Sequence, residues 1–115
     1  MTLKECYTIL EGSYDNMIAR LSTEERIKKF LLMFPKDTTF NELCSAMEDK
    51  DYELAFRSAH TLKGLCLNLG IERLRRSADA ITEALRGNQN NGADDLLPLV
   101  IEDYNIALDA INHLD

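Results

Sequence analysis

Residues that interrupt regular secondary structure are scarce in this chain. Only five glycines and two prolines occur among its 115 residues, and these are the residues that most often end a helix or a strand. Long regular elements are therefore expected. A chain of this length also fits one domain and leaves little room for a second, so we expect a single domain over residues 1–115.

Residues that bind metals or form disulfides are also few. The three cysteines, Cys6, Cys44 and Cys66, are odd in number and lack the C-x-x-C spacing of many zinc sites, which argues against a disulfide framework. The two histidines, His60 and His113, lie outside the E-x-x-H arrangement of di-iron helical bundles. We therefore predict no bound metal and no cofactor. Free thiols are typical of a reducing cytoplasm.

Basic residues are in the minority, with 13 against 20 acidic residues and a formal charge of −7. The phosphates of nucleic acids and anionic lipids repel such a chain, so neither is an expected partner. The longest apolar runs, residues 30–34 and 96–101, are too short to cross a bilayer. The N-terminus also lacks the basic and apolar segments of a signal peptide. We expect a cytoplasmic protein that does not bind membranes.

Apolar residues recur every three or four positions along most of the chain, which is the period of amphipathic helices. Helices are predicted over residues 51–69 and 71–87, joined at Gly70, and a last helix follows a loop at residues 88–93. Pro98 is expected in the first turn of that helix, where proline is tolerated. Such helices bury their apolar stripes best in an all-α, antiparallel, up-and-down four-helix bundle, with additional short helices at the N-terminus.

Short polar motifs predict where two of the helices begin. Ser22 and Glu25 have the S-x-x-E spacing of a capping box, in which each side chain accepts a hydrogen bond from a backbone N–H. Asp51 is a suitable N-cap, because its carboxylate can accept a hydrogen bond from a free N–H of the first turn. These motifs predict helix starts directly after residues 22 and 51.

The helix predicted over residues 51–69 has an unusual outer face. At about 100° per residue, its core stripe consists of Ala55, Ala59, Leu62, Cys66 and Leu69. His60 points almost directly away from this stripe. The residues within about 60° of His60 are Glu53, Phe56, Arg57, Lys63, Gly64 and Leu67.

Helix stability does not explain this outer face. Gly64 costs about 1 kcal/mol relative to alanine in a helix, but it leaves space beside His60 for another molecule. Phe56 and Leu67 are apolar where polar residues are expected, and they form a candidate dry docking surface. The alternative is that Gly64 packs closely against another helix and that the N-terminal helices cover Phe56 and Leu67.

His60 and Lys63 together suit phosphoryl transfer. A neutral imidazole nitrogen is a nucleophile near pH 7 and forms covalent intermediates. Lys63 follows at i+3, within reach of a group attached to the ring, where its charge would neutralise phosphoryl oxygens. Phosphoryl transfer requires mainly positioning and charge stabilisation. A nucleophile and a cation therefore suffice when a partner supplies magnesium and an acidic pocket.

The signature of histidine-containing phosphotransfer (HPt) domains resembles residues 59–64, AHTLKG, and residues 68–70, NLG. The resemblance implies a four-helix bundle in which His60 is phosphorylated, Lys63 pairs with the phosphoryl oxygens and Gly64 lets a receiver domain approach. It also implies no ATP hydrolysis. The chain departs from the family's pattern at residues 65–67, LCL, where smaller residues are frequent, and at residues 81–82, where a leucine-glutamate pair is frequent.

The sequence thus predicts a phosphotransfer protein of a multistep two-component phosphorelay, with His60 exchanging phosphate with receiver-domain aspartates. The partners would be response regulators or hybrid histidine kinases, contacted through Phe56, Arg57, Gly64 and Leu67. The protein would be a monomeric carrier and not an enzyme. An autonomous kinase is disfavoured because no glycine-rich phosphate loop is present. An opening methionine favours a complete small protein, with a module of a larger kinase as the alternative.

A helical adaptor that works without phosphate is the main competing hypothesis. In that case Phe56 and Leu67 supply the binding energy, and His60 is incidental. A single histidine on a helix surface usually has no function, so the combination of residues around His60 carries the phosphotransfer hypothesis.

Overall fold

The computed structural model describes all 115 residues, and helices are its only regular secondary structure. Seven α-helices and one short 3-10 helix follow one another: α1 Leu3–Leu10, α2 Tyr14–Leu21, α3 Glu24–Leu31, the 3-10 helix Phe34–Lys36, α4 Thr39–Glu48, α5 Tyr52–Leu69, α6 Glu72–Ala84 and α7 Ala93–Asn112. The all-α prediction is confirmed. None of the seven α-helices combines the length and the hydrophobicity that crossing a membrane requires.

Helices α4 to α7 form the predicted four-helix bundle. Helix α5 packs against α4 and α6, and α7 closes the bundle by packing against α6 and α4. The tight connection between α5 and α6 depends on Gly70, whose φ of 73° is readily available to glycine. The Gly70 N–H donates the last helical hydrogen bond of α5 to the carbonyl of Cys66, and the left-handed conformation of Gly70 then turns the chain into a helical hairpin.

The core is one cluster of 27 buried apolar residues drawn from all seven α-helices. The stripe predicted for α5 belongs to it, and none of its five members is more than 7% exposed. Removing such side chains from water is the largest favourable contribution to folding. Burial of this stripe fixes the rotation of α5 about its axis, and therefore decides which residues the helix presents to solvent.

The N-terminal helices are attached to the end of the bundle where α5 turns into α6. The buried hydroxyl of Tyr7 donates a hydrogen bond of 2.7 Å to the carbonyl oxygen of Leu69. Gly12, between α1 and α2, lies so close to Gly70 that an added Cβ would collide with the Gly70 carbonyl oxygen. Arg73 donates to the carbonyl of Ile9 at 3.3 Å. These contacts hold α1 and α2 against the hairpin.

One of the two predicted helix starts is confirmed and the other is wrong by one residue. Asp51 is the N-cap of α5, and its carboxylate accepts a hydrogen bond of 3.1 Å from the Leu54 N–H. The cap of α3 is Thr23 and not Ser22, because the Thr23 hydroxyl accepts from the Arg26 N–H at 3.2 Å. Adjacent hydroxyl residues offer the same cap chemistry, and the path of the chain out of α2 selects between them.

The predicted bounds of the last two helices also require correction. Helix α6 ends at Ala84, three residues before the predicted end at Gly87. Helix α7 begins at Ala93, so Pro98 lies in the second turn and not in the first. Ala93 is fully buried, and its packing against the core favours the earlier start despite the hydrogen bond that proline cannot donate.

Candidate functional site

His60 lies near the middle of α5 on its solvent-exposed side. Its neighbour Ala59 is fully buried, so the backbone that holds His60 is part of the packed bundle. The imidazole ring stacks beside the ring of Phe56, with 6.2 Å between the ring centroids and 23° between the ring planes. His60 therefore presents an accessible imidazole on a helix that the core holds in place.

Phe56 is half-buried and lies beside both His60 and Arg86, a residue that follows the end of α6. The Arg86 guanidinium is 5.3 Å from the centroid of the Phe56 ring, a cation–π contact. Arg86 itself is held by Glu83 at 2.7 Å. The alternative that N-terminal helices cover Phe56 and Leu67 is wrong for Leu67, which is 58% exposed. Phe56 packs partly against the core.

The ammonium of Lys63 forms an ion pair with a residue that sequence reasoning missed. Its Nζ atom lies 2.8 Å from Oδ1 of Asp79 on α6. The hydrogen bond from Lys63 holds the pKa of the Asp79 carboxyl below its ordinary value. A helical hairpin brings together residues at similar distances before and after its turn, so the turn at Gly70 was the available signal for this pair.

Gly64 faces open space. A Cβ added there would have no other atom within 4 Å beyond its own helical surroundings, so the alternative of close helix packing at this position is wrong. Arg57 is exposed one turn before His60, and Leu67 is exposed two turns after it. The helix thus places Phe56, Arg57, Lys63 and Gly64 within about one turn of His60, and Leu67 lies two turns after it.

Cysteine chemistry is not part of this site. Burial raises the pKa of the Cys6 thiol to about 11 and that of the Cys66 thiol to about 12, so both thiols stay protonated and unreactive near pH 7. No cluster of three or more His, Cys, Asp or Glu side chains lies close enough to hold a metal ion. The imidazole of His60 remains the candidate reactive group on the outer face of α5.

The class of protein follows from the comparison with family models. Residues 36–112 match the model of the Hpt domain, which is more than half of the chain. The chain belongs to the Hpt domain family, as the resemblance at residues 59–64 predicted. The match begins in the 3-10 helix and covers α4 to α7, the four helices of the bundle. Comparisons with curated proteins and with solved structures give no match.

Membership in this family defines the class of activity. Hpt domains are phosphocarriers: they take part in histidine phosphotransfer within phosphorelays and interact with receiver domains. The matched segment contains His60, Lys63 and Gly64 together with the helix that carries Asp79.

Proposed function

We propose that this protein carries a phosphoryl group on His60 to or from the aspartates of receiver domains, in response regulators or hybrid histidine kinases. The observation that carries the proposal is the exposure of His60 in the middle of a bundle helix, within the family's matched segment. The other histidine, His113, follows α7 directly, and its Nδ1 lies 2.7 Å from the carbonyl oxygen of Asp109. It lies just outside the matched segment.

The transfer is a substitution at phosphorus. A neutral imidazole nitrogen of His60 attacks the phosphorus of the receiver's aspartyl phosphate and forms a P–N bond. The P–O bond to the aspartate breaks, and the carboxylate leaves with the electron pair. The reverse reaction returns the phosphoryl group to an aspartate. This chain supplies the nucleophile and the Lys63 cation, and the receiver supplies the second acceptor and the remaining charge stabilisation.

The exchange is supported by the exposed surface of α5 around His60, which is formed by Phe56, Arg57, Gly64 and Leu67. Leu67 offers apolar area that water leaves on contact. The open space at Gly64 lets the receiver's backbone approach the imidazole. Arg57 places a positive charge beside a phosphoacceptor whose partner is acidic, and complementary charge speeds encounter. We propose that these residues contact the receiver and that the carrier acts as a monomer.

Phosphate transfer from a receiver tests the proposal. The protein is incubated with receiver domains carrying ³²P-labelled phosphoaspartate, and the label is tested for acid lability and alkali stability. We expect a phosphohistidine on the native protein and on His113→Gln, and none on His60→Gln with an unchanged circular dichroism spectrum. His113→Gln is the matched control because it removes the other histidine.

The adaptor hypothesis makes the opposite prediction in the same experiment. A folded protein that accepts no label from a panel of receivers, and whose His60→Gln variant still binds its partner with unchanged affinity, would act without phosphate. The exposed Leu67 side chain would then account for binding. Loss of label in His60→Gln together with retained binding of unphosphorylated receivers is the result expected for a carrier.

A further inference from the structure

The cation assigned to the phosphoryl group already has an anionic partner. Lys63 Nζ lies 2.8 Å from Asp79 Oδ1, and the two side chains are only 30% and 40% exposed. Asp79 belongs to α6, the helix that packs beside α5. In the unphosphorylated protein the positive charge of Lys63 is therefore directed at a carboxylate of the neighbouring helix.

We propose that Asp79 regulates the phosphorylated state of His60 by competing with the phosphoryl oxygens for Lys63. This inference rests on the proposed function of His60. A phosphoryl group on the ring carries up to two negative charges and attracts Lys63, whose flexible stem lets its ammonium turn toward a new partner. Asp79 resists this movement and also repels the phosphoryl group. Both effects destabilise phosphohistidine relative to the receiver's phosphoaspartate, which favours release.

No other cation is free to replace Lys63 beside Asp79. The two arginines whose charges act on Asp79 are paired with other carboxylates: Arg75 of α6 with Glu72 at 2.7 Å, and Arg86, just beyond α6, with Glu83 at 2.7 Å. When Lys63 turns to the phosphoryl group, the Asp79 carboxylate loses its only ion-pair partner. That loss is part of the free energy of forming phosphohistidine.

The exchange equilibrium with a phosphorylated receiver measures this effect. In a His113→Gln background, where His60 is the one remaining histidine, Asp79→Asn removes the competing charge but keeps an oxygen that can accept from Lys63. We expect the ratio of phosphohistidine to phosphoaspartate at equilibrium to rise roughly threefold, as for a partly exposed ion pair. Asp103→Asn on α7 is the matched control, because it makes the same chemical change at an ion pair with Arg73 and frees neither of the arginines near Asp79. It should leave the ratio unchanged.

A second measurement needs no receiver. Phosphoramidate transfers its phosphoryl group to the imidazole: a new P–N bond forms, the bond to the amine breaks, and ammonia leaves. The ³¹P signal of the product is then followed through a pH titration of the phosphoryl group. Removing the Asp79 charge and freeing Lys63 both favour the doubly charged form. We therefore expect Asp79→Asn to move the titration midpoint to lower pH.

The Lys63 background separates competition from direct repulsion. In Lys63→Met the effect of Asp79→Asn on both measurements should shrink to less than half. An undiminished effect would show repulsion alone and would overturn the competition. Two further outcomes would overturn the competition. In the first, Asp79→Asn leaves both the phosphohistidine ratio and the titration midpoint unchanged. In the second, Asp79→Ala lowers the ratio while Asp79→Asn leaves it normal. The second pattern would mean that Asp79 only holds Lys63 in place.

Failure of the two proposals is distinguishable. A native protein that exchanges no label with any receiver contradicts the proposed function. The ³¹P titration of the chemically phosphorylated protein still decides whether Asp79 and the phosphoryl group compete for Lys63. A native protein that exchanges label normally, with Asp79→Asn identical to it in both measurements, contradicts only the inference about Asp79.

Discussion

The two sides of α5 share one backbone, but packing explains the residues on the buried side and does not explain those on the exposed side. On the buried side, alanine, leucine and cysteine fill the space between neighbouring helices, where close packing explains the choice of these residues. On the outer side, polar residues in place of Gly64 and Leu67 would stabilise the helix at least as well. The comparison shows that residues without a stabilising role cluster around one imidazole, which is where a function is expected.

The same contrast between a structural and a functional role holds for two glycines, Gly12 and Gly64. Gly12 has no room for a side chain because the carbonyl oxygen of Gly70 occupies its place. Gly64 has open space around it and a helical backbone that accepts any ordinary residue. The fold therefore requires the first glycine, and only an approaching partner would require the second.

The largest effect is expected from truncating the buried side of α5. Leu62→Ala should lower the free energy of unfolding by about 2–5 kcal/mol, because it leaves a cavity in a packed core. Leu67→Ala, the same substitution on the exposed side, should change it by less than about 0.5 kcal/mol. Urea denaturation of both variants measures the difference, and equal losses would break the distinction between the two sides.

A large side chain at Gly64 should block transfer without harming the fold. Gly64→Leu has space in the free protein, but it would displace a docked receiver and slow phosphoryl transfer by roughly a hundredfold. Quench-flow with a labelled receiver gives the rate, and circular dichroism verifies that helix content is equal or higher. Normal transfer in this variant would show that Gly64 is not needed for the receiver's approach.

Alanine at the two glycines should have opposite effects on stability. Gly12→Ala should lower the free energy of unfolding by about 2 kcal/mol, because the new methyl group forces the backbone apart. Gly64→Ala should raise it by about 0.5–1 kcal/mol, the helix preference of alanine over glycine. Thermal unfolding of the pair provides the test. Destabilisation of both variants would mean that Gly64 also serves the fold.

Removing the Lys63 charge should slow transfer less than a large side chain at Gly64 does. Lys63→Ala should slow transfer about tenfold, the value of one hydrogen bond to a charged group. Stability should change little, because the ion pair with Asp79 is partly exposed. Stopped-flow measurements give the effect on the transfer rate, and urea denaturation gives the effect on stability. A normal transfer rate would remove Lys63 from the proposed site.

Sequence reasoning succeeded at most features that one helix decides, although it placed the N-cap of α3 one residue too early. Local geometry and local hydrogen bonds account for four correct predictions: the burial of the α5 stripe, the exposure of His60, the cap at Asp51 and the stop at Gly70. It failed at the ends of α6 and α7, where local signals were weak. There, packing of residues such as Ala93 against distant helices favoured different bounds.

The sequence by itself determined that α5 presents His60 opposite a buried stripe, because the angle of about 100° per residue is a property of every α-helix. Only the tertiary structure decided that Lys63 meets Asp79, that Arg86 covers Phe56 and that Gly64 stays open. Those contacts depend on how α5 and α6 pack and rotate against each other. That arrangement minimises exposed apolar surface over the whole bundle, and no single segment encodes it.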